Sequence, residues 1–564
     1  KAGSTSEEDK EATIAVENGH YEKLKGYMKA YYNILSWALK RPWKVIIGVV
    51  SLLFVTFFLY GLFGVGVEFF PDSEPDFVNI NVHGRGNLSI EEKAKFVNDV
   101  EGRIFDLPYF KDVYSRAGAK PYSAAEDVIG YIQVELKDWQ DRPRADVIIA
   151  EMKDKLKDVS GVILEVTKEE KGPVSGKPIE IEISANSDDA SIIDKGYKYV
   201  LKAMNDIGGF VDMEDTSDLP GIQWQMKINK AQAAKFGVDI SSVGSIVQMM
   251  TRGATVSTYR PADSDDELDI VVRFPKKFRS LDMIDNLYVV TSSGASVPIS
   301  TFVSIVPAPK VNMIQRVDGR RILKVLSEVE AGSYAAEKIL ALKKYVKQNP
   351  LPDGVRLTFK GEDEDSKESS SFIIDAFIAA VFFMGFVLLL QFNSFYSTFM
   401  ILFSILLSTI GVVLGLIIMR DPFSIVMTGL AVVSLAGIVV NNNIVLIDAF
   451  DELKEKVSDP VDAVLRTGLQ RLRPVYLTTV TTILGLVPMA LKLNIDFVNA
   501  DITIGAPSMD MWSAFSKSVI FGLGFATILT LIVTPCMLLV GVRMRKHFKE
   551  WWHRKFSKSD ENQY

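Results

Sequence analysis

Cysteine and histidine are almost absent from this sequence. Its 564 residues include one cysteine, Cys536, and four histidines. A lone cysteine excludes an intrachain disulfide and a cysteine metal cluster. Three of the histidines lie near the chain ends, which leaves His83 by itself in the long central part, a poor basis for a metal site. We therefore expect no bound metal or other cofactor.

Motifs of the common enzyme classes are missing as well. The sequence contains no P-loop, no nucleophile elbow and no HExxH motif. The formal net charge of -7 argues against a general nucleic-acid binder, and the basic residues lie mostly beside the apolar stretches. We expect neither an enzyme nor a nucleic-acid-binding protein.

Charged residues are scarce in six long stretches that are rich in Leu, Ile, Val and Phe. Each is long enough to cross a hydrocarbon core of about 30 Å at about 1.5 Å per residue. A buried helix of a soluble protein can resemble one such stretch, but six together indicate a membrane protein. The predicted apolar cores are residues 45–65, 372–390, 398–419, 424–447, 475–493 and 519–542.

Basic residues flank the first and the last stretch, which places both chain ends in the cytoplasm. We predict a polar tail over residues 1–20 without a cleavable signal peptide, a first transmembrane helix over 44–66, five more within 372–545 and a cytoplasmic tail over 546–564. Residues 21–43 predict an interfacial amphipathic helix, with docking to a cytosolic surface as the alternative. Because the sequence starts at Lys1, we expect a fragment or a processed product.

The region between the first two membrane helices must then lie outside the cytoplasm. Residues 67–175 predict the order β-α-β-β-α-β, which is typical of a ferredoxin-like module. The order begins again with strands at 178–184 and 223–229, is interrupted by an insertion over 230–308 and resumes at 313–360. The second module thus covers 176–229 and 309–361, and the acidic run 362–365 is interpreted as a solvated linker.

Three consecutive amides, Asn441, Asn442 and Asn443, interrupt the fourth apolar stretch. Amides in hydrocarbon are costly unless they find partners, so they indicate either a transport site or helix-to-helix hydrogen bonds. Asp448 follows Asn441 by seven residues, about two turns, and therefore lies on roughly the same helix face. Asp375 lies near the outer end of the second stretch, where we expect simple solvation.

Several motifs in a fixed order resemble the carboxy-terminal half of a resistance-nodulation-division (RND) transporter of the hydrophobe and amphiphile efflux branch. The matches run from about residue 35 to residue 545. They are residues 68–72 (EFFPD), 136–143 (LKDWQDRP), 219–221 (LPG), 297–300 (VPIS), 391–395 (QFNSF), 437–448 and 471–479 (RLRPVYLTT).

The resemblance implies an α+β membrane protein with a six-helix transmembrane half-bundle and two periplasmic porter modules, the second carrying a docking insertion. Such permeases lie in the bacterial inner membrane, use the proton gradient, are usually homotrimers, and pass substrate to a periplasmic adaptor and an outer-membrane channel. Their proton-carrying carboxylates lie in the amino-terminal half, which this chain does not contain. That half would be a required partner.

The same resemblance places Asn441 where many drug pumps carry a lysine. An amide can hydrogen-bond a carboxylate and respond to its protonation, but it supplies no charge to shift the carboxylate's pKa. We expect Asn441, Asn442 and Thr478 to adjoin the proton relay, with Asp448 on an exit route.

The substrate cleft of drug pumps is lined by aromatic residues, and the matching positions here are mostly polar. They are Tyr114, Arg116, Tyr122 and Gln133. An apolar ligand would favour an aromatic lining, so a polar or amphiphilic small molecule is the expected substrate.

Two other functions stay open at this point. A heavy-metal exporter of the same superfamily would want Met, His, Cys or carboxylate ligands along the cleft. An accessory half-subunit without its own proton relay would leave export unchanged when Asn441 and Asn442 are replaced by Leu.

Overall fold

The computed structural model describes most of the chain. The described residues are 15–17, 19–86, 88–119, 127–169, 176–186, 189–217, 222–262, 267–291, 294–309, 314–330, 332–496 and 501–560. Most of the predicted polar tail (1–14 and 18), the candidate substrate residue Tyr122 and the last residues, 561–564, lie outside these ranges.

The amino-terminal part consists of helix α1 (Gly26–Lys40) followed by helix α2 (Pro42–Phe63). The apolar side of α1 is buried, because Tyr31 and Leu35 pack into the helical core and the Tyr31 hydroxyl donates to the Leu531 carbonyl at 2.8 Å. Trp37 on α1 stays exposed. One face of α1 therefore docks onto the later helices, while a Trp remains on the outside as expected for an interfacial helix.

A short strand, β1 (Val67–Glu68), leads into the first extramembrane unit, which we call module 1. Its elements are β2 (Phe77–Gly84), α3 (Ile90–Ile104), β3 (Phe110–Ala117), β4 (Val128–Leu136), α4 (Ala145–Leu156) and β5 (Val162–Lys168). The four strands form one antiparallel sheet in the order β3-β4-β2-β5. Both helices cover one face through a core that includes Ile80, Ile132 and Ile148, which leaves the opposite sheet face free for polar side chains.

A second unit, module 2, follows with β6 (Ile179–Ala185), α5 (Ala190–Ile207) and β7 (Phe210–Asp215). Next come the inserted elements β8 (Ile222–Ile228), α6 (Lys230–Lys235), α7 (Ile240–Thr251), β9 (Ala254–Tyr259), β10 (Leu268–Val272), β11 (Tyr288–Val290), β12 (Ser296–Pro298) and β13 (Val303–Pro309). Module 2 resumes with β14 (Arg316–Val317), β15 (Arg320–Val329), α8 (Ala335–Gln348) and β16 (Val355–Gly361).

The second strand of module 2 differs from the prediction. The predicted strand at 223–229 corresponds to β8, but β8 pairs along its length with β13 rather than with the sheet of module 2. The strand that joins that sheet is β7, which pairs with β15 and lies at its edge. Periodicity alone missed β7 because its sequence, FVDMED, carries acids between few apolar residues. The inserted strands therefore begin at β8.

The rest of the chain is mainly helical. Its elements are α9 (Glu362–Phe392), α10 (Phe395–Met419), β17 (Phe423–Ser424), α11 (Ile425–Lys456), α12 (Pro460–Ala490), β18 (Leu493–Asp496), β19 (Asp501–Ile504) and α13 (Ser508–Asp560). Among the described residues, six helices are long and apolar enough to cross a membrane, namely α2 and α9 to α13. Strands β1 and β17 pair in parallel beside the ends of α2 and α11.

The acidic run 362–365 is not a linker. It forms the first turn of α9, which starts at Glu362 directly after β16. Carboxylates in a first turn interact favourably with the positive end of the helix dipole, so an acidic run can begin a helix. Module 2 is thereby joined to the second membrane helix without an intervening loop.

Helix α13 packs against α10, α11 and α12 and so lies at the centre of the helical part. Small residues allow this close approach: a Cβ atom added to Gly411 of α10 would lie 2.6 Å from the Phe521 carbonyl oxygen of α13. Close backbone contact through glycine is a common way for membrane helices to associate.

Candidate functional site

The three amides of α11 face in different directions. Asn443 is fully buried, and its side-chain nitrogen donates to the Ser404 hydroxyl at 2.8 Å and to the Val439 carbonyl at 2.9 Å. Its side-chain oxygen accepts from the Thr534 hydroxyl at 2.8 Å. Asn443 therefore links α10, α11 and α13 by hydrogen bonds. This is the alternative to a transport site that the sequence had left open.

Asn441 lies on the outer surface of the helices. It is exposed, and so is Asp448 two turns later, whereas Asn442 is buried with 6% of its surface exposed. Thr478 on α12 is exposed too, and its hydroxyl donates to the Val475 carbonyl of its own helix at 3.0 Å rather than to Asn441. Three of the four predicted relay residues thus face outward, and Asn442 faces the packed side.

Exposed positions form one stripe along α11. We name this stripe the open face of α11, and it consists of Leu430, Ser434, Gly437, Asn441 and Asp448. At about 100° per residue these five positions fall within about 60° of the helix circumference. A Cβ atom on Gly437 would have no other atom within 4 Å. Small and polar side chains in such a row are typical of a surface that packs against another helix rather than against lipid.

The predicted substrate residues lie together on the sheet of module 1. Tyr114 on β3 is directly opposite Gln133 on β4, and Arg116 is opposite Tyr131. The rings of Tyr114 and Tyr131 are 6.1 Å apart, and both tyrosines neighbour the Arg116 guanidinium, whose pKa they raise. Tyr114, Arg116 and Gln133, which the sequence grouped as substrate residues, therefore lie on one face of the sheet. The fourth predicted residue, Tyr122, lies outside the described residues.

Two further strands continue this polar face. The row of residues that starts with Tyr114 and Gln133 continues across the sheet with Asn79 on β2 and Thr167 on β5. The neighbouring row continues from Tyr131 to Asn81 and Glu165, and the Asn81 amide donates to Glu165 at 2.9 Å. The sequence reading missed these positions, although the alternation of polar and apolar residues in β2 could have identified them.

A charged cluster lies at the β5 edge of this face. The His83 imidazole is 3.1 Å from Asp127 and 3.5 Å from Glu165. Burial works against the charged ring, but the two carboxylates outweigh it and raise the pKa of His83 to about 9. His83 is therefore an imidazolium at neutral pH.

The cluster extends from module 1 into module 2 through Lys177. The Lys177 ammonium lies 3.7 Å from Glu165 and 2.5 Å from Glu214 of β7, and it donates to the Asp212 carbonyl at 2.6 Å. Burial and the nearby Glu165 carboxylate raise the pKa of Glu214 to about 8. In the described part of the chain, no group of three or more His, Cys, Asp or Glu side chains is placed to hold a metal ion.

Glu68 on β1 is a further acidic group that the sequence reading did not single out as a site. It lies beside the amino-terminal end of α11, next to Ser424 in the β1-β17 pairing. Burial, followed by repulsion from Asp421, raises the pKa of Glu68 to about 7. Its neighbour Asp421 is itself paired with Lys517 at 2.9 Å.

In the described part of the chain, six apolar helices, an exposed polar face on one of them and a large two-module part between the first two define a multi-span membrane protein. The chain belongs to the AcrB/AcrD/AcrF family of RND permeases, whose family model matches residues 5–542. It is 24% identical to the swarming motility protein SwrC of Bacillus subtilis (strain 168), with 92% of this chain and 47% of that protein aligned.

Other relatives carry different functional names. The chain is 26% identical to the cobalt-zinc-cadmium resistance protein CzcA of Cupriavidus metallidurans, over 84% of this chain and 45% of that protein. It is 21% identical to the multidrug resistance protein MdtC of Yersinia enterocolitica, over 94% of this chain and 51% of that protein. These relatives are transporters rather than enzymes, in agreement with the absence of enzyme motifs.

A crystal structure of a heavy metal efflux pump has the same fold. The TM-score is 0.72 at 19% identity, over 91% of this chain and 51% of that one. The chain thus spans about half the length of the relatives it matches.

Proposed function

We propose that this chain acts as the carboxy-terminal half of an RND efflux permease of the hydrophobe and amphiphile branch. In this proposal its six apolar helices form a half-bundle in the bacterial inner membrane, and its two ferredoxin-like modules lie in the periplasm. An amino-terminal half completes the bundle, and the complete permease is a proton-coupled homotrimer that works with a periplasmic adaptor and an outer-membrane channel.

The main evidence for this proposal is the open face of α11. An exposed amide at Asn441 beside Ser434 and Gly437 is unfavourable against lipid, because no hydrocarbon group can hydrogen-bond it. A second bundle with a carboxylate opposite Asn441 would satisfy the amide. The alignment of the chain to about half of each relative supports the same arrangement.

Proton coupling then occurs at the interface between the two halves. Asn441 bonds the proton-carrying carboxylate in one of its protonation states, and Thr478 and Asn442 support that contact. Asp448, on the same face about two turns away, accepts protons towards the cytoplasm. Since Asn441 carries no charge, the carboxylate's pKa depends on burial and hydrogen bonding rather than on a neighbouring cation.

The substrate in this proposal is a polar or amphiphilic small molecule held on the polar face of module 1. Tyr114 offers a half-exposed ring, while Arg116 and Gln133 offer hydrogen-bond donors. The name of the relative CzcA makes cobalt, zinc and cadmium ions the alternative class of substrate. Broad sensitivity of a deletion strain to lipophilic drugs would contradict the polar substrate.

The proposal is tested by replacing Asn441 and Asn442 with Leu in the complete transporter and measuring efflux that an uncoupler abolishes. Loss of the contact with the carboxylate should lower the export rate about tenfold or more, while the amount of transporter in the membrane stays unchanged. Phe382→Leu, an exposed apolar change on α9, is the matched control and should leave export intact. Normal export by the Asn441 and Asn442 variants would instead support an accessory half-subunit.

A further inference from the structure

A charged cavity of about 300 Å³ lies between module 1 and the β18-β19 hairpin. Segments that are distant in sequence form its wall. The lining residues are Asp72, Ser73, Glu74, Pro75, Trp139, Arg142, Arg144, Ala145, Asp146, Lys168, Lys492, Gly505 and Asp510. Two motifs of the sequence meet here, residues 68–72 with their continuation and residues 136–143, and the proposed export function gives neither of them a role.

The cavity lies at the level of the membrane surface. Lys492 lies two residues after the end of α12, and Asp510 is in the first turn of α13, so both mark the outer ends of membrane helices. Trp139 covers Gly505, where an added Cβ would lie 3.8 Å from the indole ring. Trp is typical of the headgroup region, because its ring is apolar and its N–H is polar.

The wall of the cavity is fixed by a buried arginine. The Arg142 side chain is 2% exposed and contacts Glu74 at 3.1 Å, the Lys137 carbonyl at 2.9 Å and the Pro75 carbonyl at 2.8 Å. Glu74 also accepts from the Ala145 backbone N–H at 3.0 Å. These bonds hold the start of α4 against the linker that follows β1.

Two side chains on the rim retain binding capacity. Arg144 uses only its Nε, which donates to Glu74 at 3.2 Å, and its side chain is 76% exposed, so both terminal nitrogens remain available among the described contacts. Asp146, two residues later, is exposed and interacts with Lys168 through space, without a hydrogen bond from a described residue. A guanidinium fork binds phosphate oxygens in a bidentate manner, and a carboxylate accepts from an ammonium group.

The charges of the whole lining are balanced. Lys168 pairs with Asp72 at 3.0 Å, and Lys492 pairs with Asp510 at 2.5 Å. With Arg142, Arg144, Glu74 and Asp146, the lining holds as many basic as acidic side chains. Among the described residues, three acidic side chains are thus paired with a cation, and Asp146 is not. A simple anion at Arg144 would add negative charge near Asp146, whereas a zwitterion also brings an ammonium group to it.

We propose that this cavity binds the zwitterionic headgroup of a phospholipid from the outer leaflet, with its phosphate at Arg144 and its ammonium group at Asp146. The lipid ties module 1 to the outer ends of α12 and α13. This binding requires neither a proton gradient nor the proposed amino-terminal half.

Native mass spectrometry of the detergent-purified full chain tests the proposal with short-chain phosphatidylethanolamine and phosphatidylglycerol. The unchanged chain should bind phosphatidylethanolamine about tenfold more tightly, since only this lipid offers an ammonium group. Arg144→Gln should weaken binding of both lipids. Asp146→Asn should remove only the preference for phosphatidylethanolamine over phosphatidylglycerol. Retained binding of phosphatidylglycerol then shows that this variant is folded. Arg103→Gln is the control, because this half-exposed arginine of α3 does not line the cavity, and it should change nothing.

Glycerophosphoethanolamine and inorganic phosphate separate a lipid from a soluble phosphate compound. Both should bind far more weakly than phosphatidylethanolamine, because they lack the acyl chains that stay in the membrane. Equal binding of these soluble probes would overturn the lipid assignment. Equal affinity for both lipids in every variant would overturn the site.

Discussion

Asn443 stabilises the helical part because both ends of its amide are bonded. Its donors reach Ser404 and Val439, and its acceptor receives the Thr534 hydroxyl, all at 2.8 to 2.9 Å. The hydroxyls of Ser404 and Thr534 would lose this partner if the amide were removed. Interhelical hydrogen bonds of this kind contribute about 0.6 kcal/mol on average and at most about 1.7 kcal/mol in a membrane protein.

Asn443→Leu should therefore lower the free energy of unfolding by about 1 kcal/mol or more. Thermal unfolding of the purified chain in detergent measures the change. The matched control is Asn441→Leu, two residues away on the exposed side, which should stay within about 0.5 kcal/mol. Equal losses for the two variants would contradict the separate roles of the amides.

Glu68 gives a prediction about pH. Its pKa is raised by burial and by Asp421 to about 7, so the folded chain binds a proton more tightly than the unfolded chain does. The resulting stabilisation is fully present below the ordinary glutamate pKa of about 4.5 and is lost as the pH rises through about 7. Glu68→Gln should thus flatten the stability profile between pH 5 and pH 8.

Thermal unfolding across this pH range measures the effect. At pH 8 the Gln variant should be more stable than the unchanged chain, because no charge is then buried. Glu101→Gln on α3 serves as a control in module 1. A steeper profile for the Glu68 variant would show that the carboxylate is stabilised in its charged form.

Single residues were only partly predictable from the sequence. The amide cluster marked α11 as unusual, but which amide bonds its neighbours depends on the rotation of the helix against α10 and α13. Asn441 and Asn443 differ by about 200° around the axis. The helical period predicts this angle from the sequence. Which side of α11 faces α10 and α13 depends on tertiary packing and is not predictable from the period.

At the scale of helices, close packing depends on glycine. Gly411→Ala should separate α10 from α13, because the new methyl group would lie 2.6 Å from the Phe521 carbonyl oxygen. Overpacking of this kind costs about 1 to 3 kcal/mol. Gly437→Ala on the open face of α11 is the matched control, since its methyl group would have no atom within 4 Å.

Unfolding of the purified chain compares these two alanine variants. Gly411→Ala should be destabilised, and Gly437→Ala should match the unchanged chain or exceed it slightly through its better helix propensity. Comparable stabilities would contradict the close approach of α10 and α13. In the complete transporter, Gly437→Ala should reduce export, because the open face then meets another helix.

Most helices and strands follow from patterns in the sequence, and the exceptions have physical causes. The six apolar stretches coincide with α2 and α9 to α13 to within three residues at each overrunning end, but polar extensions such as 362–365 carry no hydrophobic pattern. The pairing of Tyr114 with Gln133 depends on a bulge between Phe110 and Asp112, and local sequence does not give its position. β7 is an acidic edge strand that tertiary pairing alone stabilises.

For the whole molecule, Lys177 couples the two extramembrane modules. Its side chain is 7% exposed and lies between Glu165 of module 1 and Glu214 of module 2. Lys177→Met would leave Glu214 without its cation, while Glu165 keeps the His83 imidazolium. Removal of one partner costs about 3 kcal/mol or more for a buried pair. Hydrogen exchange should then accelerate at the facing edges β5 and β7.

Lys198→Met provides the control, because Lys198 forms an exposed pair with Asp194 within α5. It should leave exchange at β5 and β7 unchanged. Unaltered exchange in the Lys177 variant would show that the modules are held together by other contacts.

The central claim is that the open face of α11 meets a second membrane bundle. A photo-cross-linking residue in place of Asn441, followed by mass spectrometry of the cross-linked product from native membranes, tests it directly. We expect a product with an apolar helix that carries intramembrane carboxylates, from an adjoining segment or a partner chain. The same probe in place of Phe382 should capture lipid. Capture of lipid alone at Asn441 would contradict the account.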